Sequence, residues 1–173
     1  MRIISKFINK IAQNNYYHIR LNDYYFDNQK QTTMAVICLK NKRMAEVLSI
    51  NDIIFDKTYF NELHQTDCCL LGFLANIELA HRCKTEYFEK SKIMQAPKPK
   101  CLNKTPPLLE ISHQYTNNNN DDFIVLKLKK TQRLFPINVL ELFNNVDILS
   151  NLSQIDALSI GFSASNSFMK GQK

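Results

Sequence analysis

The sequence predicts an α+β fold made of two tandem, pseudo-symmetric modules, each a β-hairpin followed by a short and a longer α-helix. The main observation is an internal repeat at an offset of 89 residues, which aligns residues 60–75 with residues 149–164 without a gap. At the same offset residues 34–42 fall on residues 123–131, so two β-rich runs coincide. The polar stretches before these runs also coincide, as the turns of two hairpins would.

Identical residues fix the register of the repeat. Two of the three glycines in the chain coincide, Gly72 with Gly161. Because a module of this size is marginally stable alone, we expect the copies to pack together, as homodimers do about a two-fold axis. The other matched residues are Leu63, Gln65, Asp67, Phe73 and Ala75, which fall on Leu152, Gln154, Asp156, Phe162 and Ala164.

The repeat divides the chain into four parts. They are an N-terminal amphipathic helix at residues 1–16, module copy 1 at residues 17–90, a Pro/Lys-rich linker at residues 91–105 and module copy 2 at residues 106–173. The two copies can pack as one globular unit. The N-terminal helix is predicted from apolar residues at helical spacing, and it is interpreted as a helix packed against the rest of the protein. A membrane-surface helix is the disfavoured alternative, because so short a segment binds lipid weakly by itself.

The first copy is expected to run from a strand through a polar turn to a second strand, a short helix and a long helix. Its strands are placed at residues 18–26 and 34–40, its short helix after a cap at Asp56 or Thr58, and its long helix after a cap at His64 or Thr66.

The second copy is expected to follow the same order. Its strands are placed at residues 107–115 and 123–130, and the asparagines at residues 117–120 are interpreted as a lengthened hairpin tip. Pro136 suits the first turn of a helix. Ser153, with Asp156 three residues later, resembles a capping box at the start of the long helix.

A set of small and aromatic residues recurs in the predicted long helices. Gly72 and Ala75 are spaced i,i+3, as are Gly161 and Ala164, and such small residues let another backbone approach closely. The whole set is predicted to form either the contact between the modules or a groove for a partner element. It comprises Gly72, Phe73, Ala75, Gly161, Phe162 and Ala164.

The five cysteines indicate the compartment. Their number is odd, and lysines interrupt the first apolar run, so a disulfide framework behind a secretory signal is not expected. Reduced thiols and a cytoplasmic location follow. The histidines and cysteines at positions 64, 68, 69, 81 and 83 invite a metal site, but there is no C-x-x-C pair. The second copy has serine, alanine and leucine opposite the first three, which favours buried structural cysteines.

The sequence offers two possible catalytic arrangements, and the repeat argues against both. Cys68 with His64 one turn away could form a nucleophile and base, yet no third orienting group can be assigned. Asp67 and Asp156 could form a paired acid and base, but each falls in the first turn of a predicted helix, where a carboxylate caps free N–H groups. We therefore expect no catalytic residue, no metal and no cofactor.

The positive charge is concentrated in one segment. The chain has a net charge of +6, and the linker at residues 91–105 holds four lysines and no acid. Further lysines follow the second strand of each copy. Contacts to an acidic partner are therefore predicted for Lys98, Lys100, Lys104, Lys127, Lys129 and Lys130.

The resulting hypothesis is a non-enzymatic intracellular protein-interaction protein, either an adaptor or a small structural subunit, that binds a protein partner. Its motive is a compact duplicated scaffold on which every catalytic candidate fails the comparison between the two copies. The alternative is a nucleic-acid-binding regulator that uses the basic strand ends and the Lys-rich linker.

Overall fold

The structure, a computed structural model, describes residues 17–39, 45–81 and 104–171. These residues form two copies of one unit, a three-stranded antiparallel sheet followed by two short helices and a helix of 17 residues. The predicted α+β fold with a duplicated module is confirmed. The prediction of a helix at residues 1–16 and most of the predicted linker lie outside the described residues.

The elements recur in the same order in the two modules. The first contains β1 (Ile19–Asp27), β2 (Thr32–Leu39), β3 (Ala45–Ser49), α1 (Ile50–Phe55), α2 (Lys57–Phe60) and α3 (Gln65–His81). The second contains β4 (Leu109–Thr116), β5 (Asp122–Leu128), β6 (Leu134–Asn138), α4 (Val139–Phe143), α5 (Val146–Leu149) and α6 (Gln154–Lys170). The strand orders are β1-β2-β3 and β4-β5-β6. No helix among these elements has both the length and the apolar composition needed to cross a bilayer.

Each sheet has a third strand that the predicted hairpins lack. Pro136 was expected in the first turn of a helix, but it lies in β6, opposite Val125. Proline is tolerated there because β6 is an edge strand, whose outward N–H is not needed by the ladder. The helix begins later, at Val139, where the Asn138 side chain accepts the N–H of Leu140 at 2.9 Å. A short apolar run does not distinguish a strand from a helix by its periodicity, which explains the error.

The first strands of the two modules are offset by 90 residues, whereas all later elements keep the offset of 89. Tyr24 pairs with Ala35 and Gln114 pairs with Ile124, and each first strand has a bulge at an equivalent place. The difference is taken up in the hairpin turn. Five residues, 117–121, stand between Thr116 and Asp122, where the first module has six between Phe26 and Thr33. Because Asp27 still pairs with Thr32, the unpaired tip has four residues in the first module and five in the second, so the asparagine run forms the longer tip, as interpreted.

Three of the predicted helix caps are confirmed. The Asp56 side chain accepts the N–H of Thr58 at 2.9 Å at the start of α2. Ser153 Oγ accepts the N–H of Asp156 at 3.1 Å at the start of α6. At the start of α3, His64 Nδ1 accepts the N–H of Thr66 at 3.1 Å.

The helices α3 and α6 form the centre of the molecule. A Cβ added to Gly72 would overlap the carbonyl oxygen of Leu158, and one added to Gly161 would overlap that of Cys69. The two helices therefore cross with their backbones in contact. Their contacts run from Gln65 with Leu152 near the helix starts to Asn76 with Phe162 further along, so both helices run in the same direction.

Candidate functional site

The predicted set of small and aromatic residues divides between two places. Gly72 and Gly161 form the helix crossing and are buried against backbone. Phe73 is 2% exposed, and its ring lies 4.9 Å from the ring of Phe143 and 5.6 Å from that of Phe168, both in the second module. Phe162 instead lines an open cleft that is described below.

The contact between the modules is reciprocal. Gln65 Nε2 donates to the carbonyl oxygen of Leu152 at 2.8 Å, and Gln154 Nε2 donates to the carbonyl oxygen of Leu63 at 3.4 Å. Gln65 and Gln154 are equivalent, and so are Leu63 and Leu152. Each glutamine therefore contacts the equivalent leucine in the other module. This is the pattern of an isologous interface about a two-fold axis, here within one chain.

The lysines predicted to contact an acidic partner have different surroundings. Lys127 Nζ lies 2.7 Å from Glu110 Oε1, and Lys104 Nζ lies 2.7 Å from Glu62 Oε1. Lys129 and Lys130 are exposed in the turn after β5. Lys98 and Lys100 lie outside the described residues.

The thiol of Cys68 is embedded in the core of the first module. Its side chain is fully buried, Sγ lies 3.8 Å from the carbonyl oxygen of Leu63, and burial raises its pKa well above the ordinary value. Cys69 is also fully buried, and burial raises its pKa. A thiol that holds its proton this tightly is a poor nucleophile and a poor metal ligand. Within the described ranges, no three His, Cys, Asp or Glu side chains are grouped closely enough to hold a metal ion.

His64 is a buried link between the modules. Since Nδ1 accepts the N–H of Thr66, the neutral ring carries its proton on Nε2, which lies 3.3 Å from Ser150 Oγ in the second module. The ring packs edge-on against Tyr17, with centroids 5.2 Å apart. Burial, assisted by the nearby charge of Arg20, lowers the pKa of His64 to about 4.

The strongest candidate for a binding site is a cleft of about 560 Å³ in the second module. It lies between the sheet and the long helix, where β4 and β5 face α6. Its volume falls in the range of sites that hold small molecules or a few side chains. The lining residues are Ile111, His113, Gln114 and Ile124 from the strands, and Asp156, Ser159, Phe162, Ser163 and Asn166 from the helix.

The same space is filled in the first module. There the counterparts of the lining residues, apart from Asp23 and Asp67, are apolar and buried, as in an ordinary core. Four of the cleft residues are smaller or more polar than their counterparts, which leaves the space open and about half of its lining polar. Gln114, Ser159, Ser163 and Asn166 stand where the first module has Tyr24, Leu70, Leu74 and Ile77.

The polar groups of the cleft form a few internal hydrogen bonds. Ser163 Oγ donates to Gln114 Oε1 at 2.8 Å, which ties α6 to β4 across the cleft. Asn166 Oδ1 accepts from Asn76 Nδ2 at 2.7 Å, which ties the cleft to the first module. Ser159 Oγ donates to its own helix, to the carbonyl oxygen of Ile155 at 3.2 Å. Of these three bonds, only that between Ser163 and Gln114 spans the cleft.

Asp156 lies in the first turn of α6, within the cleft. Its Oδ2 accepts the N–H of Ile111 at 3.3 Å. Its counterpart Asp67 accepts the N–H of Leu21 at 3.1 Å and also pairs with Arg20, with Nε 2.9 Å from Oδ2. Within the part of the chain that the structure describes, Asp156 has no such cationic partner.

Sequence reasoning missed most of this cleft. It identified Phe162 and treated Asp156 as a helix cap, but it did not single out Gln114, Ser159 or Ser163. The signal was present in the repeat, as serine in one copy opposite leucine in the other. A polar residue opposite an apolar counterpart argues against a site common to both copies, but it also marks a core that one copy has opened. Comparison of the chain with protein-family models, with curated proteins and with solved structures finds no match.

Proposed function

We propose that this chain is a non-enzymatic protein-interaction protein whose second module binds an extended segment of a partner protein in the cleft between β4, β5 and α6. The first module acts as the scaffold on which the second is mounted. The observation that carries the proposal is the replacement of a packed core by a polar cleft at equivalent positions of one repeated fold. Opening a core loses the stabilisation that apolar burial provides, about 25 cal/mol for each Å² of apolar surface. A binding role explains why the second module keeps the space open.

The edge of the second sheet supports a peptide as the occupant. The strand β4 is an edge strand, and its residues 112–116 are all exposed. An exposed strand edge can accept a further strand through main-chain hydrogen bonds, while alternate side chains enter neighbouring pockets. The cleft begins at this same strand, through Ile111 and Gln114.

The chemistry of the buried groups supports binding without catalysis. Cys68 and His64 are the thiol and imidazole that could form a nucleophile and base. Burial raises the pKa of Cys68 and lowers that of His64, so both side chains favour their uncharged forms. They lie in the core of the first module and not in the cleft of the second. The cleft is lined by hydroxyl, amide and carboxylate groups, which orient a ligand by hydrogen bonds.

Selection from a displayed library of random peptides tests the proposal. Wild-type protein is the target, and counter-selection uses the triple variant Ser159→Leu, Ser163→Leu, Asn166→Ile, which restores the apolar residues of the first module. We expect peptides that bind the wild type at least tenfold more tightly than the triple variant. Glu141→Leu adds an apolar side chain at an exposed site outside the cleft and should bind like the wild type. Selected peptides that bind all three proteins equally, or no selected peptides at all, would contradict the proposal.

Binding of nucleic acid through Lys129, Lys130 and the linker is the alternative proposal. It requires an affinity that weakens steeply as salt rises, because bound counterions are released from the phosphates. Titration with single- and double-stranded oligonucleotides at two salt concentrations tests it. An affinity that does not depend on salt would rule it out.

A further inference from the structure

We infer that the cleft of the second module takes an arginine side chain of the bound segment, and that Asp156 pairs with its guanidinium group. The inference rests on the proposed function and names the chemistry of the occupant. It follows from a comparison of the two modules at a single carboxylate, together with the space around it.

The first module shows what this carboxylate accepts. Asp67 Oδ2 receives the backbone N–H of Leu21 at 3.1 Å and the Nε of Arg20 at 2.9 Å. The pair is largely buried, with the arginine side chain 13% exposed and the aspartate side chain 7% exposed. The guanidinium thus comes from the first strand, next to the start of the long helix.

The second module keeps the carboxylate and loses the arginine. In the 90-residue register of the first strands, the counterpart of Arg20 is Glu110, whose carboxylate pairs with Lys127 at 2.7 Å. Among the residues that the structure describes, Asp156 retains only the N–H of Ile111, at 3.3 Å. The second module therefore presents the same acceptor as the first without the arginine, and this acceptor lines the cleft.

The remaining cleft residues fit an arginine better than a lysine. A guanidinium has five N–H donors in a rigid plane, whereas an ammonium is a compact point charge. Besides Asp156, the oxygens of Ser159 and Ser163 line the cleft and can accept from a planar fork. The ring of Phe162 offers a face on which a guanidinium can stack, and Ile111 offers an apolar wall for the methylene stem.

The volume leaves room for a second, apolar side chain. The cleft measures about 560 Å³, and in the first module the equivalent space holds Tyr24 and three aliphatic side chains. On an extended segment, residues two apart lie on the same face. A segment with arginine and an aromatic residue at i and i+2 therefore matches both parts of the cleft.

Short synthetic peptides test the inference with the full chain. The probe is N-acetyl-Arg-Ala-Phe amide, and the matched control replaces arginine by citrulline, which has the same shape without the charge. Binding is followed by chemical-shift changes in ¹⁵N-labelled protein. We expect the arginine peptide to bind at least fivefold more tightly than the citrulline peptide, with the lysine peptide between them. Equal binding of the arginine and citrulline peptides, or no binding of the arginine peptide, overturns the inference.

Two variants locate the effect at Asp156. Asp156→Asn keeps an oxygen for the N–H of Ile111 and removes the charge, so it should abolish the preference for arginine over citrulline. Asp147→Asn removes a charge at an exposed site of the same module and should leave the preference unchanged. Retention of the preference in Asp156→Asn contradicts the inference.

An internal arginine provides an independent test. Glu110→Arg places a guanidinium where the first module has Arg20. Because this group would pair with Asp156, binding of the arginine peptide should become at least fivefold weaker. Glu110→Gln is the control and should have little effect. The library selection separates the two levels of the proposal. Peptides that require the open cleft but lack a basic residue would leave the proposed function standing and would refute the pairing with arginine.

Discussion

Asp67 and Asp156 hold equivalent positions in the first turns of α3 and α6, and each accepts a backbone N–H beside the bulge of the first strand in its own module. The acceptor distances are 3.1 Å to Leu21 and 3.3 Å to Ile111. The carboxylate thus fastens the start of the long helix to the edge of the sheet in both copies. This role was not predicted, since the sequence indicated only a cap for the helix itself.

The two carboxylates should differ in their effect on stability. Asp67→Ala leaves the largely buried Arg20 without its partner, and removal of one member of a buried ion pair costs about 3 kcal/mol or more. Asp156→Ala removes one long hydrogen bond, which is worth about 1 kcal/mol. Urea denaturation of the two variants gives the difference in free energy of unfolding directly. Equal losses would mean that Arg20 contributes nothing through Asp67.

The helix crossing should not tolerate a single methyl group. Gly72→Ala and Gly161→Ala each place a Cβ on backbone atoms of the opposite helix, and we expect each to cost about 3 kcal/mol or more in free energy of unfolding. The sign of the change in free energy of unfolding is informative, because alanine in place of glycine usually stabilises a helix by about 1 kcal/mol.

Gly171→Ala is the matched control for the crossing. A Cβ there would lie 3.4 Å from its nearest neighbour, and the residue has an ordinary helical conformation at the C-terminus of α6. Its effect should stay within about 0.5 kcal/mol. Thermal denaturation of the three variants distinguishes the cases. Unchanged melting temperatures for the crossing variants would show that the helices can separate without loss.

Much of the fold was predictable because duplication preserves spacing. The matched glycines fixed the register, and in that register α3 and α6 start and end 89 residues apart. The 89-residue register does not hold in the first strand, because the two hairpin turns differ by one residue. Nothing in the sequence shows at which position of the turn the modules differ in length. The third strands were missed because Leu134 to Ile137 form a short apolar run, which suits either a strand or a helix.

The cleft was not predictable from composition or motif. Most of its polar residues are ordinary serines, a glutamine and an asparagine, which carry no spacing typical of a site. Their meaning depends on where the sheet faces the helix, and that placement needed the one-residue shift of β4, which arises in the hairpin turn. The match of Ser163 with Leu74 is visible in the 89-residue register, but the match of Gln114 with Tyr24 on the facing strand needs the structure.

The segment before the second module should be anchored to the first by one ion pair. Glu62 is buried, with its side chain 3% exposed, and Lys104 Nζ lies 2.7 Å from Oε1. Lys104→Met leaves this carboxylate without its cation and should cost about 3 kcal/mol. In the second module the counterpart of Glu62 is the neutral Asn151, so the position tolerates an amide.

A double-mutant cycle isolates this pair. Glu62→Gln combined with Lys104→Met should be more stable than Lys104→Met alone, because no unpaired charge remains in the buried position. Chemical denaturation at constant salt measures all four corners of the cycle. Additive effects of the two substitutions would indicate that the pair makes no net contribution.

The stability of the protein should decrease in mild acid because of His64. Its pKa is lowered to about 4 in the folded protein, while the unfolded chain has the ordinary value near 6.5. Between these two values the unfolded chain binds a proton that the folded protein does not, so stability falls as pH falls from about 7 to about 4. The total loss from this residue is about 3 kcal/mol, and it is complete below pH 4.

The contacts of His64 give the structural reason for this loss. Protonation of Nδ1 removes the acceptor for the N–H of Thr66, and a positive charge at the start of α3 opposes the helix dipole. His64→Asn retains an oxygen that can cap the helix but does not titrate in this range, so it should flatten the pH dependence between pH 4 and 7. His113→Asn, at an exposed histidine in β4, should leave it unchanged. Urea denaturation at half-unit steps of pH measures the slopes, and a wild-type slope in His64→Asn would assign the acid sensitivity to other groups.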